Sequence, residues 1–233
     1  VTQERSATLA LIDAAHDTPV SFQPARVVLA GYTGRDRASV QKHIDELRAH
    51  GIPAPERIPE AYSGLPDGIQ VDGLLPAGAG WSSGEVEYVL LTTERGVYVG
   101  VGSDHTDREL ERTAMVPAKQ AFPKILGARV WPLEDLATDW DALVLRSWIT
   151  HDGKRRPYQE GSIALIMAPA DLLAFAGRDA SPGLVVYSGT VPAVEGPPTT
   201  GPCRFEGELA RPDGRVLATV SYSYEAGPRN RLS

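Results

Sequence analysis

The sequence predicts a β-rich α+β domain with one prominent helix near its front. Three observations predict it. The 233 residues include 23 glycines and 19 prolines, which punctuate short apolar runs; strands separated by turns have this pattern. Two such runs, "GEVEYVLLT" (84–92) and "GVYVGVGSD" (96–104), flank "TERG" (93–96) and read as a hairpin. One stretch, "DRASVQKHIDELRAHG" (36–51), instead places Val40, Ile44 and Leu47 at i, i+4 and i+7, the stripe of a helix.

In chain order, "ATLALIDA" (7–14) and "ARVVLAGYTG" (25–34) read as strands joined by a turn near "HDTP". Asp36 can cap the helix that follows and Gly51 can end it. "IPAPERIPEAYSGLPDG" (52–68) excludes helix around each proline. With the helix it forms a lid or crossing segment over 33–66. "IQVDGLLP" (69–76) is a weak strand, and the hairpin comes next. "DRELERTAM" (107–115) reads as a short helix or turn, and 128–150 as a helical patch followed by a strand ending near Trp148. "HDGKRRPYQEG" (151–161) reads as a polar turn, "SIALIMAPADLLAFAG" (162–177) as strand then helix, and "GLVVYSGTVPAV" (183–194) as a strand. A closing hairpin over 203–226 turns at "PDG". With no internal repeat, the chain reads as a single domain over 1–233.

Composition narrows the partners. A hydrophobic content of 42% supplies a real core, and a net charge of −7 argues against nucleic acid or an anionic membrane as a bulk partner. No apolar run approaches the roughly 20 residues of a membrane span. The first residues lack the pattern of a secretion signal. The single Cys203 excludes internal disulfides and a cysteine-based zinc site. A cytoplasmic protein is the simplest account.

The chemistry concentrates around the hairpin. Alternation along a strand puts Glu85 and Glu87 on one side, about 7 Å apart along the backbone, with Val86 facing a core. The returning strand brings Asp104 to the same end. Three carboxylates there make a hard-cation site of the Mg²⁺ or Mn²⁺ type, with Ca²⁺ also possible. Each part has a plainer explanation. "EVE" is common on a solvated strand, and "TDRE" (106–109) fits a capping box from Thr106 to Glu109. His105 reads equally as support for a ligand or as a turn residue. "GRDR" (34–37) reads as exposed charge. His43 and Glu46, three apart on the helix, read as an exposed pair or as a base and its orienting carboxylate.

Taken in order, "GEVE", "SDHTDRE" (103–109), "AKQAF" (118–122) and "SGT" (188–190) resemble the fumarylacetoacetate hydrolase superfamily over roughly 25–225. "AGYTGRDR", "SDHTDRELE" and "YQEG" resemble, more narrowly, a bacterial branch labelled DUF2848. The resemblance implies a mixed β-sandwich roll with a helical lid segment near the N-terminus, a divalent cation and a homodimer. It implies Glu85, Glu87 and Asp104 as metal ligands and Lys119 as the cation beside a developing enolate. Arg108, Gly189 and Thr190 would bind a substrate carboxylate or oxo group, and His43 with Glu46 would form the catalytic dyad. Glu109 replaces the family's aspartate after the arginine, and Gln120 its serine after the lysine. The 17 positions between Glu87 and Asp104 are fewer than is typical, and a fourth acidic ligand found in longer members has no match. The implied substrate is a small 2-oxo acid or 1,3-dicarbonyl. The implied reaction is C–C hydrolysis, with decarboxylation, sugar-acid dehydration or isomerisation, or cation binding without turnover as alternatives.

Overall fold

Val86, Tyr88 and Leu90 alternate with Glu87, Val89 and Leu91 along one strand, and all six are buried. A strand covered on both faces needs two layers around it, and this one lies near the middle of a large curled sheet. A computed structural model describes residues 7–49, 54–75, 81–177, 181–198 and 200–227. The chain runs β1 (Leu9–Asp13), β2 (Thr18–Phe22), β3 (Arg26–Gly31), α1 (Arg37–Ala49), β4 (Glu60–Gly64), β5 (Ile69–Val71), β6 (Gly73–Leu74), β7 (Ser82–Ser83), β8 (Val86–Thr93), β9 (Gly96–Ser103) and β10 (Thr106–Asp107). It continues through α2 (Met115–Gln120), β11 (Lys124–Leu126), β12 (Arg129–Pro132), β13 (Val144–His151), β14 (Lys154–Ser162), α3 (Pro169–Ala176), β15 (Leu184–Tyr187), β16 (Gly201–Ala210) and β17 (Val216–Ala226).

The larger sheet has the order β2-β1-β12-β9-β8-β15-β3-β4, with β11 joining β9 and β5 joining β11. Its inner face gathers Leu11, Leu29, Val89, Leu91, Leu126, Val185 and Tyr187. Its outer face, with Val86, Tyr88 and Leu90, packs on Leu145, Phe205, Leu209 and Tyr222 of a second sheet, whose order is β14-β13-β16-β17-β6. The architecture is therefore the β-rich roll that the sequence suggests.

Several elements differ from the sequence reading. β2 and β4 were not expected as strands. β2 is an edge, where Pro19 leaves no ladder bond missing on the paired side. β4 pairs antiparallel with β3 from Val27↔Gly64 to Gly31↔Glu60, so residues 60–64 near the end of the expected lid segment form an edge strand. No proline falls between Pro59 and Pro66, which leaves 60–64 every backbone donor. The 151–161 stretch is mostly β14, paired with β13, and only Asp152–Gly153 turns. "SIAL" is a single 3₁₀ turn at Ile163–Leu165, with Ser162 Oγ accepting the Ala164 N–H. Helix α1 begins as expected: Asp36 accepts the N–H groups of Ala38 and Ser39, and Val40 and Ile44 are buried. Gly51 lies outside the described residues. Among the described residues no helix is long and apolar enough to cross a membrane.

Gly127 lies tight against the backbone of Thr219 in β17 of the second sheet. Its N–H donates to Val101 O at 2.8 Å, and a methyl group in place of its hydrogen would overlap the backbone carbonyl of Thr219. Backbone cannot rotate aside. Gly127→Ala is expected to destabilise the fold by about 1–3 kcal/mol, measured as a lower urea midpoint by circular dichroism.

Candidate metal centre

The hairpin register builds the site. Val86 pairs with Ser103 and Glu87 with Gly102. One step further, the Asp104 N–H donates to Glu85 O at 3.0 Å, so Glu85 and Asp104 face each other at the end of the ladder. Cross-strand neighbours share a face. Glu85, Glu87 and Asp104 therefore converge at the end of the inner apolar row that continues through Val89 and Leu91. One oxygen from each lies within 4.8 Å of the others. Glu87 and Asp104 are each 1% exposed, while the Glu85 side chain is 19% exposed. Two clefts, one beside Thr92 and Arg95 and one beside His151 and Arg156, are lined by other residues.

Like charges placed this close are unfavourable without compensation. Asp104 has it. Lys119 Nζ, from the last turn of α2, donates to its Oδ2 at 2.5 Å. Lys124 Nζ lies 2.7 Å from its Oδ1. Burial alone would raise the Asp104 carboxyl, but Lys119 and then Lys124 outweigh it and hold the group well below the usual carboxylate range. Lys119 Nζ also lies 3.6 Å from Glu85 Oε2 and sits over the Tyr62 ring. Burial opposes its charge, but Asp104, Glu85 and Glu87 keep it an ammonium. Burial pulls Lys124 below the ordinary lysine value, with Asp104 opposing.

Glu87 differs. The Gly189 N–H donates to its Oε2 at 2.9 Å. Burial, and after it the charge of Asp104, push its carboxyl well above the ordinary value. A buried carboxyl in want of positive charge, beside two more carboxylate oxygens, fits a hard divalent cation. Oxygens that all lie within 4.8 Å of one another are close enough for one Mg²⁺-, Mn²⁺- or Ca²⁺-sized ion to be shared among them. The cation would have to displace the Glu87 proton. Mn²⁺ affinity is thus expected to fall about tenfold for each pH unit below the raised Glu87 pKa. Titrations between about pH 5 and 8 check this; a dependence seen only below the ordinary carboxylate range of about 4.3 would contradict it.

The other expected site residues are placed as follows. Arg108 Nη2 contacts Glu85 Oε1 at 2.9 Å, Nη1 contacts Glu111 Oε2 at 2.9 Å, and Nε donates to Ser83 Oγ at 2.7 Å. The guanidinium thus anchors Glu85, instead of extending a free fork toward a ligand. Gly189 adopts φ 82°, where only glycine is unstrained, and its N–H goes to Glu87. Thr190 Oγ1 donates to Val86 O at 2.7 Å and accepts from Gln159 Nε2 at 2.7 Å. Thr33 Oγ1 donates to Ser188 O at 2.6 Å, which ties the 188–190 turn to the segment before α1. His43 and Glu46 lie on α1, but their side chains lie outside the described residues.

His105 is fully buried, its Nδ1 3.0 Å from the Tyr222 hydroxyl and its ring wedged among Phe122, Tyr222 and Tyr224. Burial pushes it well below the ordinary value, toward the neutral form. The Tyr222 hydroxyl reaches Ser103 Oγ at 2.8 Å, which accepts the Glu85 N–H at 3.2 Å. His105 therefore braces the ligand strand from below. The capping-box reading of Thr106 is corrected: Thr106 lies in β10, and Asp107 Oδ1 accepts the N–H groups of Glu109 and Leu110. Gln120 Nε2 donates to Ser63 O at 2.7 Å, docking α2 on β4. Lys124, Tyr62, Ser83 and Glu111 were not anticipated. The only signal for Lys124 was a lysine at the head of the apolar "KIL".

A family model described as "Protein of unknown function (DUF2848)" matches residues 30–222. No curated protein matches the chain. Among solved structures, Cg1458 is similar with a TM-score of 0.65 and 17% identity, covering 87% of this chain and 76% of that one. The yeast protein ynq8, of the fumarylacetoacetate hydrolase family, has a TM-score of 0.60 and 14% identity, covering 89% and 95%. A 2-keto-3-deoxy-D-arabinonate dehydratase, complexed with magnesium and 2,5-dioxopentanoate, has a TM-score of 0.59 and 16% identity, covering 87% and 74%. At these identities the likeness is one of fold.

Proposed function

The chain belongs to the DUF2848 family, and from that premise we propose that it is a divalent-cation-dependent hydrolase or lyase that cleaves a C–C bond in a small 2-oxo acid or 1,3-dicarbonyl. The observation that carries the proposal is the convergence of Glu85, Glu87 and Asp104 within 4.8 Å at the end of a buried row. These three would hold the cation, Mg²⁺ or Mn²⁺. When bound, it polarises a carbonyl and offsets enolate charge that grows in the transition state.

The chain's own residues do the rest. Arg108 fixes the Glu85 carboxylate from one side, and the Gly189 N–H fixes Glu87 from the other, so the ligands are oriented before any ligand arrives. Lys119 keeps an ammonium beside the trio, where it would favour negative charge on a substrate oxygen. His43 would take a proton from water at an imidazole nitrogen, with Glu46 orienting the ring. A substrate carboxylate bound by Arg108, Gly189 or Thr190 would have to displace their present bonds to Glu85, Glu87 and the Val86 carbonyl. The working unit is a homodimer, which light scattering tests directly.

Dehydration is the second reading. It is favoured by the fold likeness to the dehydratase solved with magnesium and 2,5-dioxopentanoate. In that reading His43 moves a substrate proton instead of a water proton. The test is turnover of an acylpyruvate and 2-keto-3-deoxy sugar acid panel with Mg²⁺ or Mn²⁺, beside His43→Ala and chelated controls. Pyruvate release supports hydrolysis, CO₂ release supports decarboxylation, and loss of water from the sugar acid supports the second reading. Tight cation binding with no turnover on any of these would leave a binding protein and refute the enzyme.

A further inference from the structure

We propose that Lys124 is a positioning residue that sets the charge of the cation site and so weakens, and keeps exchangeable, the grip of the three carboxylates. The inference rests on the reading of Glu85, Glu87 and Asp104 as that site. Topology leads to it. Strand β9 lies between β8 and β11, with Ile125 paired to Ser103 and Leu126 to Gly102. Lys124 is thus the cross-strand neighbour of Asp104 on one side, as Glu85 is on the other. Its ammonium lies 2.7 Å from Asp104 Oδ1 and donates to His105 O at 2.5 Å. Lys124 is 3% exposed, deeper than Lys119 at 6%.

A buried lysine is costly unless it is paired. Here the pairing takes up one oxygen of a metal ligand, while Lys119 donates to the other. Orientation alone would not require this. The Asp104 N–H is already held by Glu85 O, and the Thr106 hydroxyl donates to Asp104 O at 3.0 Å, so the backbone is fixed without Lys124. What the lysine adds is a fixed positive charge on a ligand carboxylate, which repels an arriving divalent ion.

The consequence has a sign that a structural role would not produce. Removing the charge should tighten cation binding, whereas loosening Asp104 should weaken it. The experiment titrates the metal-free, full-length protein with Mn²⁺, reading free ion by electron paramagnetic resonance. It compares wild type with Lys124→Met, Lys124→Gln and Lys124→Arg, each checked for folding by circular dichroism. The neutral variants are expected to bind Mn²⁺ at least tenfold more tightly, and Lys124→Arg to stay within about threefold of wild type. Two results would overturn the inference: binding in the neutral variants equal to or weaker than wild type, or failure of both to fold, which would make the lysine purely structural. If wild type itself binds no Mn²⁺, the reading of the trio as a cation site falls, and this inference with it.

Discussion

Asp104→Ala is expected to destabilise the metal-free protein by about 3–5 kcal/mol, the cost of removing one partner from a buried ion pair, and to abolish divalent-cation binding. Lys124 would keep the His105 carbonyl at 2.5 Å, and Lys119 the longer contact to Glu85 at 3.6 Å and the Tyr62 ring. Two ammoniums that are 3% and 6% exposed would then lack their principal counter-ion. Urea denaturation should show the midpoint falling by about 1 M or more, given slopes of about 1–3 kcal/mol per M. The sign of the pH dependence is also fixed. Asp104 titrates well below its unfolded value, so its contribution is present above about pH 4 and lost as acid protonates it.

Glu87→Gln should behave oppositely in stability while sharing the loss of cation binding. The folded pKa of Glu87 is raised. The folded state therefore binds this proton more tightly than the unfolded chain, and stability contributed below the unfolded pKa of about 4.3 declines as pH rises toward the folded value. A permanently neutral glutamine removes that decline. Metal-free Glu87→Gln is expected to be at least as stable as wild type near pH 8. If Asp104→Ala and Glu87→Gln lost stability equally, the contrast between the two carboxylates would be wrong.

The hairpin was legible because alternation and a turn fix register, and register alone carries Glu85, Glu87 and Asp104 to one end. Burial was less legible. On a half-exposed strand a carboxylate marks the solvated face, yet Glu87 shares the inner face with Val89 and Leu91, and both faces of β8 are covered. Charge misled again at β14, where "KRRP" looked like a turn but forms an edge strand. Arg155 there stacks on Trp148 at 4.0 Å and pairs with Glu206 at 3.0 Å; edge strands favour such charge and proline. Lys124 was invisible because its role depends on β11 reaching β9, a pairing between segments more than 20 residues apart with no local signature. Arg108 was visible as a cation near the acids, but which partner takes it depends on the packing of Ser83 and Glu111 around it.

Lys119→Met is expected to lower kcat by about 10²–10³, the typical loss when one donor to a developing oxyanion is removed, with Mn²⁺ bound at least as tightly as by wild type. The two readouts separate because Lys119 carries opposite effects on them. Its ammonium donates to Asp104 Oδ2 at 2.5 Å and lies 3.6 Å from Glu85 Oε2, so it competes electrostatically with a cation at those oxygens. The same charge would favour an enolate next to them. Methionine keeps most of the side chain's length and its packing against Tyr62, whose hydroxyl donates to Glu60 Oε2 at 2.7 Å, so the wall of the site should persist. Asp104 keeps Lys124, which limits the loss of stability relative to Asp104→Ala. The measurement is a paired determination of kcat and of Mn²⁺ affinity on one preparation. A fall in both would mean that Lys119 holds the site together. Unchanged kcat would remove it from the chemistry and leave charge stabilisation to the bound cation.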